Sequence, residues 1–561
     1  MVGWRQPAFE NFCRSNLGTT RRPPLIKQHN RWLFLIGWIV WACYLLSGCG
    51  NAADNSEFKS PGLGPSSDWV TTTPEEQGMD SAILADMLAD IQEEKRNVHS
   101  ILVVRNGSIV MEAYLPPFQA DLTHDLASCG KSVNSALVGI AIDQGYLKGV
   151  DQKMVELFSD RTIANNDAVK QSITLKHMLT MTAGLDWDEW RPVDAKSTYF
   201  QMQQSRDAVQ FVLDRKMTDE PGERWNYSEG LFNLLALAVS QSSQMQVPAF
   251  AQKYLFEPIG IRETDWRSNP GGGFAVAMTP RDMARFGFLY LNQGAWNGKQ
   301  VISSGWVSDS TANHIQTGVG GKGYGYLWWL PASGGYAADG DGGQRIFVIP
   351  DKNLVTIITA GLGYPDMETV PEKLLDSYIL PAVKSTDQLP ENKAGVERMN
   401  SLIKALAKPA VKPTPSDTPV PPGTPLPPGT PLPPLPAEAG RISGKTYALK
   451  PNSIWLERVS FDFSAQAAEI EMAFGGRSQK MAIGLDNVYR INRVDALGPL
   501  FGWIAFRGVW KNENTFTMDL LLNGLARQMV FTFADDSVTM WIKGSRGESE
   551  EIHGKVVTGG K

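Results

Sequence analysis

A serine and a lysine separated by two residues are the most reactive pair that this sequence offers. Ser128 and Lys131 open the run SCGKSVNSALVGIAI, which covers residues 128–142. Residues three apart on a helix share one face, so the amine can reach the hydroxyl, and the helix N-terminus faces whatever the hydroxyl oxygen attacks. A lysine takes a serine proton only when burial or nearby positive charge lowers its pKa. We therefore expect Lys131 to be at least partly desolvated beside the candidate nucleophile Ser128.

The spacing alone is a weak signal, because a serine followed three residues later by a lysine also begins at Ser56 and at Ser401. The first of these lies in a polar tether and the second in an amphipathic stretch before a proline-rich run. Only the segment after Ser128 is apolar almost all round, which is typical of a helix buried in the centre of a protein. A reactive pair on such a helix is held rigidly.

Two further segments give this pair its context. NYSEG at residues 226–230 is a polar turn before an apolar run, and DGDGGQ at residues 339–344 is a glycine-rich approach to a strand. With Ser128 and Lys131 they resemble, in order and rough separation, the three motifs of serine β-lactamases and penicillin-binding proteins. The class C branch, with its carboxylesterases, D-alanyl-D-alanine peptidases and 6-aminohexanoate-dimer hydrolase, is the most similar. The resemblance covers roughly residues 70–385 and includes the phrases LTMTAGLDW and MTPRDMARFG.

The resemblance implies roles for several residues. It assigns Tyr227 to the proton path, as a partner of the base and as donor to the leaving group. It places the oxyanion between the backbone N–H groups of Ser128 and Gln344. Gly342 and Gly343 suit this region because glycine lets a substrate lie against the backbone. Water would then hydrolyse the acyl-enzyme.

The sequence departs from the antibiotic-hydrolysing members at two positions. Glu229 stands where many of them have asparagine, and Asp341 stands where they have lysine or histidine. Because Asp341 would repel a substrate carboxylate at close range, a β-lactam is a poor physiological substrate. Trp187 is a candidate for lining an apolar acyl pocket or for the core. The same two interpretations apply to Trp190, Tyr324, Trp328 and Trp329.

Composition excludes several classes of protein. The chain has 561 residues, 42% of them hydrophobic and 20% charged, and a net charge of −6, so nothing favours a nucleic-acid partner. Its four cysteines are Cys13, Cys43, Cys49 and Cys129, which leaves no disulfide pair in the mature protein. The six histidines never fall at metal-ligand spacing, so we predict neither a metal site nor another cofactor.

Residues 1–48 are predicted to be a lipoprotein signal peptide. Basic residues precede the apolar run 32–46, which is short for a membrane span and ends in Leu-Ser-Gly before Cys49. This resembles a bacterial lipobox, which implies that Cys49 is acylated and anchors the protein to the membrane. Gly50 fits sorting to the outer membrane, on the periplasmic side of the cell envelope. An uncleaved anchor is the alternative, and residues 49–68 are a polar tether.

The rest of the chain predicts two folded domains. In residues 69–395 strands come first, helices follow and strands return at 325–330, 344–349 and 354–358, which indicates an α+β fold with one antiparallel sheet and a helical insertion. The resemblance makes this domain β-lactamase/transpeptidase-like. Residues 396–440 are interpreted as a proline-rich linker. Alternating apolar residues in 441–561 predict an all-β barrel or sandwich.

The first functional interpretation is an exported serine hydrolase that cleaves a small-molecule ester or amide through a Ser128 acyl-enzyme. A D-alanyl-D-alanine peptidase, penicillin-binding protein or β-lactamase is a second interpretation. A non-catalytic ligand-binding module of the cell envelope is a third, which Glu229 and Asp341 make conceivable. The sequence assigns no chemistry to the C-terminal domain and leaves the oligomeric state open.

Overall fold

The computed structural model describes residues 68–189, 196–262, 264–268, 273–408, 434–452, 454–464, 468–494, 502–544 and 549–557. The predicted signal peptide, Cys49, nearly all of the tether and most of the proline-rich segment lie outside the described residues. None of the helices within the described ranges is long and apolar enough to cross a membrane.

The N-terminal domain consists of strands and helices that alternate irregularly along the chain. Its strands are β1 Val98–Arg105, β2 Ser108–Tyr114, β3 His124–Asp125, β4 Asp265–Ser268, β5 Phe274–Met278, β6 Ala295–Trp296, β7 Lys299–Gln300, β8 Ile315–Gln316, β9 Gly323–Tyr324, β10 Trp329–Leu330, β11 Tyr336–Gly340, β12 Gln344–Ile349 and β13 Leu354–Ala360. Its helices are α1 Ser81–Glu93, α2 Cys129–Asp143, α3 Met154–Leu157, α4 Ala168–Gln171, α5 Leu175–Leu179, α6 Thr198–Gln204, α7 Ala208–Leu213, α8 Glu229–Ser243, α9 Val247–Ala251, α10 Pro280–Leu291, α11 Ser304–Ser310, α12 Asp366–Leu374, α13 Leu380–Ala382 and α14 Lys393–Leu406. Short 3-10 and π-helical turns occur at Glu75–Gln77, Gln252–Phe256, Glu257–Ile259, Pro350–Lys352 and Leu375–Ile379.

The central sheet of this domain has eight strands in the order β2-β1-β13-β12-β11-β10-β9-β8, and the neighbouring strands pair antiparallel. The first strands of the domain meet the last strands where β1 pairs with β13, and most of the helices lie between them in sequence. The predicted α+β fold, in which a helical insertion interrupts an antiparallel sheet, is therefore confirmed. The β1–β2 turn is built from Asn106 and Gly107, whose φ values of 50° and 80° are those that a tight hairpin turn requires.

The strand predicted at residues 325–330 is wrong for most of its length. Only Trp329–Leu330 is extended there, and Leu327 has a φ of 62°, which breaks the strand. The carbonyl of Leu327 accepts a hydrogen bond from Ser132 Oγ at 2.7 Å. The loop therefore packs onto helix α2 instead of completing a strand.

Helix α2 lies in the interior, as its apolar sequence predicts. Residues 129–141 are buried without interruption, and the helix packs against α8 on one side and the sheet on another. Asn134 Nδ2 donates to the carbonyl of Phe232 at 3.2 Å, which ties α2 to α8. This contact brings the residues at the starts of the two helices close together.

The N-terminal domain continues beyond residue 395, where the sequence interpretation places the start of the linker. Helix α14 packs against α1, buries Met399 and Leu406, and pairs Arg398 with Asp86 at 2.6 Å. The physical reason is the apolar face of the amphipathic stretch, which needs a partner surface.

The C-terminal domain is a ten-stranded antiparallel sheet, preceded by helix α15 Ala437–Ile442. The strands are β14 Thr446–Leu449, β15 Leu456–Phe463, β16 Ala468–Phe474, β17 Arg477–Ile483, β18 Arg490–Arg493, β19 Trp503–Asn512, β20 Thr515–Leu522, β21 Leu525–Ala534, β22 Ser537–Gly544 and β23 Ser549–Val556. The sheet order runs from β17 through β14 and β23 to β18, and Gln479 Nε2 of β17 donates to the Arg493 carbonyl of β18 at 2.7 Å. The sheet is therefore a nearly closed barrel, which decides between the two predicted architectures.

The alternating residues of the C-terminal strands face the barrel interior, as predicted. Ile470 and Met472 of β16 are buried while Glu469 is exposed, whereas in β20 Thr517 is buried together with Phe516 and Met518. Period-two burial like that of β16 is what a small barrel filled by its own side chains requires.

Candidate active site

Ser128 lies at the junction of strand β3 and helix α2. The strand ends at Asp125, whose Oδ1 accepts a hydrogen bond from the backbone N–H of Ala127 at 2.7 Å. Ala127 has a φ of 47°, so the chain turns sharply there, and Ser128 follows as the N-cap of α2. The Ser128 side chain makes no capping hydrogen bond to its own helix. Its hydroxyl therefore remains available to neighbouring side chains.

Lys131 is buried beside Ser128, with only 5% of its surface exposed, so the predicted desolvation is confirmed. Its Nζ lies 3.3 Å from Ser128 Oγ and donates to Glu229 Oε2 at 2.5 Å. Burial disfavours the ammonium form, but the charges of Glu229, Tyr227 and Glu189 more than offset it and hold the pKa of Lys131 well above its usual value. The expectation of a lowered pKa is therefore wrong, and the amine is an ammonium ion in the resting site.

Tyr227 comes to the same point from the turn before helix α8. Its hydroxyl is hydrogen-bonded to the side chains of Ser128 and Lys131, and its ring lies 4.9 Å from Lys131 Nζ. Burial raises the pKa of Tyr227 to about 12, although Lys131 opposes the shift. The phenol is thus protonated at neutral pH. The structure brings together Ser128, Lys131, Tyr227 and Glu229, which the sequence places at two distant sites.

Glu189 is a second carboxylate in this cluster, and the sequence analysis missed it. Its Oε2 accepts from Trp187 Nε1 at 2.6 Å and from the Glu229 backbone N–H at 3.0 Å. Burial and repulsion from Glu229 raise its pKa to about 7, against the opposing charge of Lys131. Glu189 lies in irregular backbone before α6, so no helical or strand periodicity marks it.

Trp187 packs beside the cluster rather than across an open pocket. It is buried, and a Cβ atom added to Gly230 would lie 2.8 Å from its ring. Its indole therefore fills the space at the start of α8 and orients Glu189. Among the other aromatic candidates, Trp328 is a core residue that packs against Tyr290, while Trp329 lies 6.3 Å from Tyr227 between ring centres.

Tyr324 and Trp190 are the two remaining aromatic candidates. Tyr324 is buried and packs against Trp329, with ring centres 5.1 Å apart, so it supports the cluster from behind. Trp190 lies outside the described residues.

The turn between β11 and β12 lies against the nucleophile segment. A Cβ atom added to Gly340 would be 2.5 Å from the Leu126 carbonyl oxygen and 3.2 Å from the Cys129 nitrogen. Cys129 Sγ donates to the Gln344 carbonyl at 3.4 Å. The thiol is fully buried, and burial raises its pKa, so Cys129 packs behind Ser128 as a small apolar residue.

Gln344 uses its side chain to hold this turn in place. Its Nε2 donates to the carbonyls of Asp341 at 2.9 Å and Ala360 at 2.8 Å, and its Oε1 accepts from the Ala360 N–H at 3.0 Å. Gly342 and Gly343 complete the turn with φ values of 77° and 89°, which glycine adopts without strain. The carboxamide of Gln344 is therefore occupied, and only its backbone is left to face a substrate.

A buried ion pair supports the turn between β11 and β12. Arg345 is 1% exposed, and its Nη1 lies 2.7 Å from Asp339 Oδ1. Burial raises the pKa of Asp339 to about 6, although Arg345 and Lys322 oppose the shift. Arg345 Nη1 also donates to the Gln344 carbonyl at 2.9 Å, so the pair fixes the strand end that follows the turn.

The cluster contains acids, an amine and hydroxyl groups, which are the groups that acyl transfer by a serine requires. Within the described ranges, no three His, Cys, Asp or Glu residues are arranged to hold a metal ion.

Several known proteins are similar to this chain. The 6-aminohexanoate-dimer hydrolase of Paenarthrobacter ureafaciens is 25% identical over an alignment of 336 positions, which covers 55% of this chain and 84% of that protein. The structure of a penicillin-binding protein from Bacillus halodurans is 19% identical and covers 51% of this chain and 98% of its own, with a TM-score of 0.41. The octameric penicillin-binding protein homologue from Pyrococcus abyssi is 14% identical and covers 84% of this chain and 99% of its own, with a TM-score of 0.43. The family model described as Beta-lactamase matches residues 82–377, more than half of the sequence. The chain belongs to the Beta-lactamase family of serine hydrolases.

Proposed function

We propose that the protein hydrolyses an ester or amide bond of a small molecule through an acyl-enzyme on Ser128. The observation that carries the proposal is the position of the Ser128 hydroxyl. It lies 3.3 Å from Lys131 Nζ and is hydrogen-bonded to the Tyr227 hydroxyl. A serine becomes a nucleophile when adjacent groups can take its proton, and both neighbours lie within hydrogen-bond reach.

The proton route needs a third member, because Lys131 and Tyr227 both hold their protons at rest. Glu229 lies 2.5 Å from Lys131 Nζ and supplies the acceptor. When the Lys131 proton moves to Glu229, the neutral amine accepts the Ser128 proton, directly or through the phenol of Tyr227. Ser128 Oγ then bonds to the acyl carbon. Tyr227 donates a proton to the leaving group as its bond to that carbon breaks. Lys131 then reprotonates Tyr227, and Glu229 returns its proton to Lys131. Water hydrolyses the ester that remains on Ser128.

The same proposal assigns the oxyanion to backbone N–H groups. Those of Ser128 and Gln344 are the candidates that the resemblance to serine β-lactamases supplies, and the Gln344 carbonyl accepts from the thiol of Cys129, the residue that follows Ser128. Asp341 lies in the turn that precedes Gln344, where its backbone carbonyl accepts from Gln344 Nε2 at 2.9 Å, and we infer that its carboxylate adds negative charge near this position. Close negative charge disfavours a substrate that carries its own carboxylate there, so the proposed substrate is a neutral or amine-bearing ester or amide.

A labelling experiment tests the nucleophile. A fluorophosphonate probe followed by intact mass should add one adduct to the wild type and none to Ser128→Ala. Ser401→Ala is the matched control, since Ser401 also precedes a lysine by three positions but is exposed and donates to the Glu397 carbonyl. Labelling of both Ser128→Ala and wild type, or of neither, contradicts the proposal.

A substrate panel then separates the possible activities. Short p-nitrophenyl esters, linear amides and D-Ala-D-Ala peptides should be compared, with hydrolysis of esters or amides expected. The related 6-aminohexanoate-dimer hydrolase carries an amide-type substrate in its name, which is why linear amides belong in the panel. A stable penicillin adduct at Ser128 together with peptide cleavage supports the penicillin-binding-protein interpretation instead.

We also propose that the protein is exported and lipid-anchored at Cys49 on the periplasmic side of the outer membrane. The support is the apolar run before Leu-Ser-Gly-Cys in the sequence. Metabolic labelling with a palmitate analogue should mark the wild type and spare Cys49→Ala. Equal labelling of the two proteins contradicts the anchor.

A further inference from the structure

The C-terminal barrel contacts the strand that leads to the nucleophile. The turn between β20 and β21 contains Asn523 and Gly524, and the Asn523 carbonyl accepts the backbone N–H of Asp125 at 2.8 Å. Asp125 belongs to β3, which pairs with β5 along its other edge. The barrel turn therefore occupies the position of a further strand beside β3, three residues before Ser128.

A tryptophan of the barrel makes a second polar contact with the same segment. Trp503 is buried, and its Nε1 donates to the Thr123 carbonyl at 2.7 Å. Its ring meets Phe118 edge-on, with 5.8 Å between ring centres. Leu122 and Leu521 belong to the same apolar cluster, which spans both domains. Thr123 and Asp125 are thus both held by barrel residues.

The fit at Gly524 leaves no space for a side chain. A Cβ atom there would overlap the His124 ring, and the backbone has a φ of 91°. The His124 ring is itself fixed, because its Nε2 lies 2.9 Å from His99 Nδ1 and its Nδ1 lies 3.0 Å from the Asp125 carbonyl. Both rings are buried. The turn is therefore packed against a rigid surface.

We propose that Trp503 and the Asn523–Gly524 turn are positioning residues for Ser128, so that the barrel is part of the active site's support. The connection runs through Asp125, whose carboxylate accepts the Ala127 N–H at 2.7 Å and pairs with Arg267. A displacement of β3 therefore moves the turn that carries Ser128 Oγ away from Lys131 and Tyr227. Misplacing a reacting atom by about 1 Å costs on the order of 100-fold in rate. This inference rests on the proposed role of Ser128 as nucleophile.

Substitution of Gly524 tests the inference against a matched glycine. Gly524→Ala pushes the turn off His124, and we expect the rate of fluorophosphonate labelling and the kcat for an ester to fall by at least about tenfold, with KM nearly unchanged. Gly476 lies in another barrel turn with a φ of 75° and nothing within 4 Å of an added Cβ. Gly476→Ala should keep wild-type rates, which separates lost docking from backbone strain.

Hydrogen exchange gives a readout that does not depend on activity. Amides in residues 123–131 should exchange faster in Gly524→Ala than in wild type and Gly476→Ala. Trp503→Phe is the milder variant, since it keeps an aromatic ring at this buried position and loses the indole N–H that donates to Thr123, together with part of the ring surface. Like Gly524→Ala, it should speed amide exchange in residues 123–131 and slow fluorophosphonate labelling. Trp455→Phe is its control, because Trp455 is 80% exposed.

The outcomes separate this inference from the proposed function. If Gly524→Ala does not fold, the exchange and labelling of Trp503→Phe alone decide whether the barrel positions Ser128. Wild-type exchange at residues 123–131 and wild-type labelling in the folded variants overturn the positioning role. If the wild type itself fails to label, the proposed function is contradicted, and exchange alone then decides whether the barrel holds the nucleophile segment.

Discussion

The Glu229 carboxylate lies 2.5 Å from the Lys131 amine and turns the lysine of the Ser-x-x-Lys pair into half of a buried ion pair. Lys131 holds its proton as a result, since its pKa lies well above the usual value. The proton that Ser128 must lose therefore goes to a Lys131–Glu229 pair that already holds one proton. This relationship makes Glu229 the residue whose loss should be most informative.

Replacing Glu229 by glutamine should slow acylation by about 100-fold, because general-base assistance is typically worth that much. The glutamine keeps the size and one hydrogen-bond acceptor but cannot take the Lys131 proton. Stopped-flow release of p-nitrophenol measures the step. Glu223→Gln is the control, since Glu223 is exposed. A Glu229→Gln rate within threefold of wild type would mean that Lys131 acts without the carboxylate.

Removing the Tyr227 hydroxyl should also reduce acylation by about 100-fold while leaving stability nearly unchanged. Tyr227→Phe keeps the ring, which packs 6.0 Å from Trp225 between centres, and loses only the hydrogen bonds to Ser128 and Lys131. Single-turnover kinetics and thermal unfolding measure the two effects. Tyr146→Phe, which removes an exposed hydroxyl paired with Tyr254, should change neither.

The sequence predicts the reacting groups of the site but not the direction in which the pKa of Lys131 shifts. Ser128 and Lys131 are neighbours on one helix turn, so local spacing is enough to pair them. The ionisation of Lys131 depends on Glu229, which is 98 positions away, and on Glu189. No local pattern shows that these two carboxylates face the amine. Charge arrangement is a property of the packed helices, and here it reversed the expected pKa shift.

The fold shows the same division between local and tertiary information. Period-two alternation was enough to predict the barrel strands, and the Asn106–Gly107 pair at the β1–β2 turn is likewise a local signal, since it favours a tight hairpin turn. The prediction of a strand at Leu327 is wrong because this loop packs against helices rather than in a sheet: Trp328 contacts Tyr290 of α10, and the Leu327 carbonyl accepts from Ser132 of α2. The contact of Trp503 with Thr123 joins residues 380 positions apart, so no sequence window contains it.

Removing Asp339 should destabilise the N-terminal domain by about 1.5–3 kcal/mol, because Asp339→Asn removes one charged partner of the buried Arg345 and leaves Glu372 as its remaining counter-charge. The side chains of Asp339 and Arg345 are 14% and 1% exposed. Urea unfolding followed by tryptophan fluorescence measures the loss. The Asp86–Arg398 pair is a control because its side chains are 55% and 49% exposed, and Asp86→Asn should cost less than about 1 kcal/mol. Equal losses would contradict the buried pairing.

The buried pair His99 and His124 should make stability fall as the pH drops below about 6.5. Burial lowers the pKa of His124 to about 3 and that of His99 well below its usual value, so between pH 3 and 6.5 the unfolded chain binds more protons than the folded one. His99→Asn keeps a donor for His124 Nε2 and removes one titrating ring. From pH 7 to pH 5, wild type should lose about 1–2 kcal/mol more stability than this variant. If the unfolding free energies of wild type and His99→Asn changed with pH by the same amount, a neutral buried pair would be contradicted.

Glu189 should give the opposite pH dependence, because burial raises its pKa to about 7. Between its ordinary pKa and pH 7 the folded protein binds this proton and the unfolded chain does not, so the contribution to stability is present below about pH 4.5 and is lost as the pH rises through 7. Glu189→Gln keeps an oxygen that accepts from Trp187 and from the Glu229 N–H, and it does not titrate. Relative to wild type, the variant should gain on the order of 1–3 kcal/mol of unfolding free energy from pH 5 to pH 8. Urea unfolding at both pH values measures this gain, and a pH-independent difference would contradict the raised pKa.

Because Glu189 also acts on Lys131, the pH dependence of acylation should lose its inflection near pH 7 in the same variant.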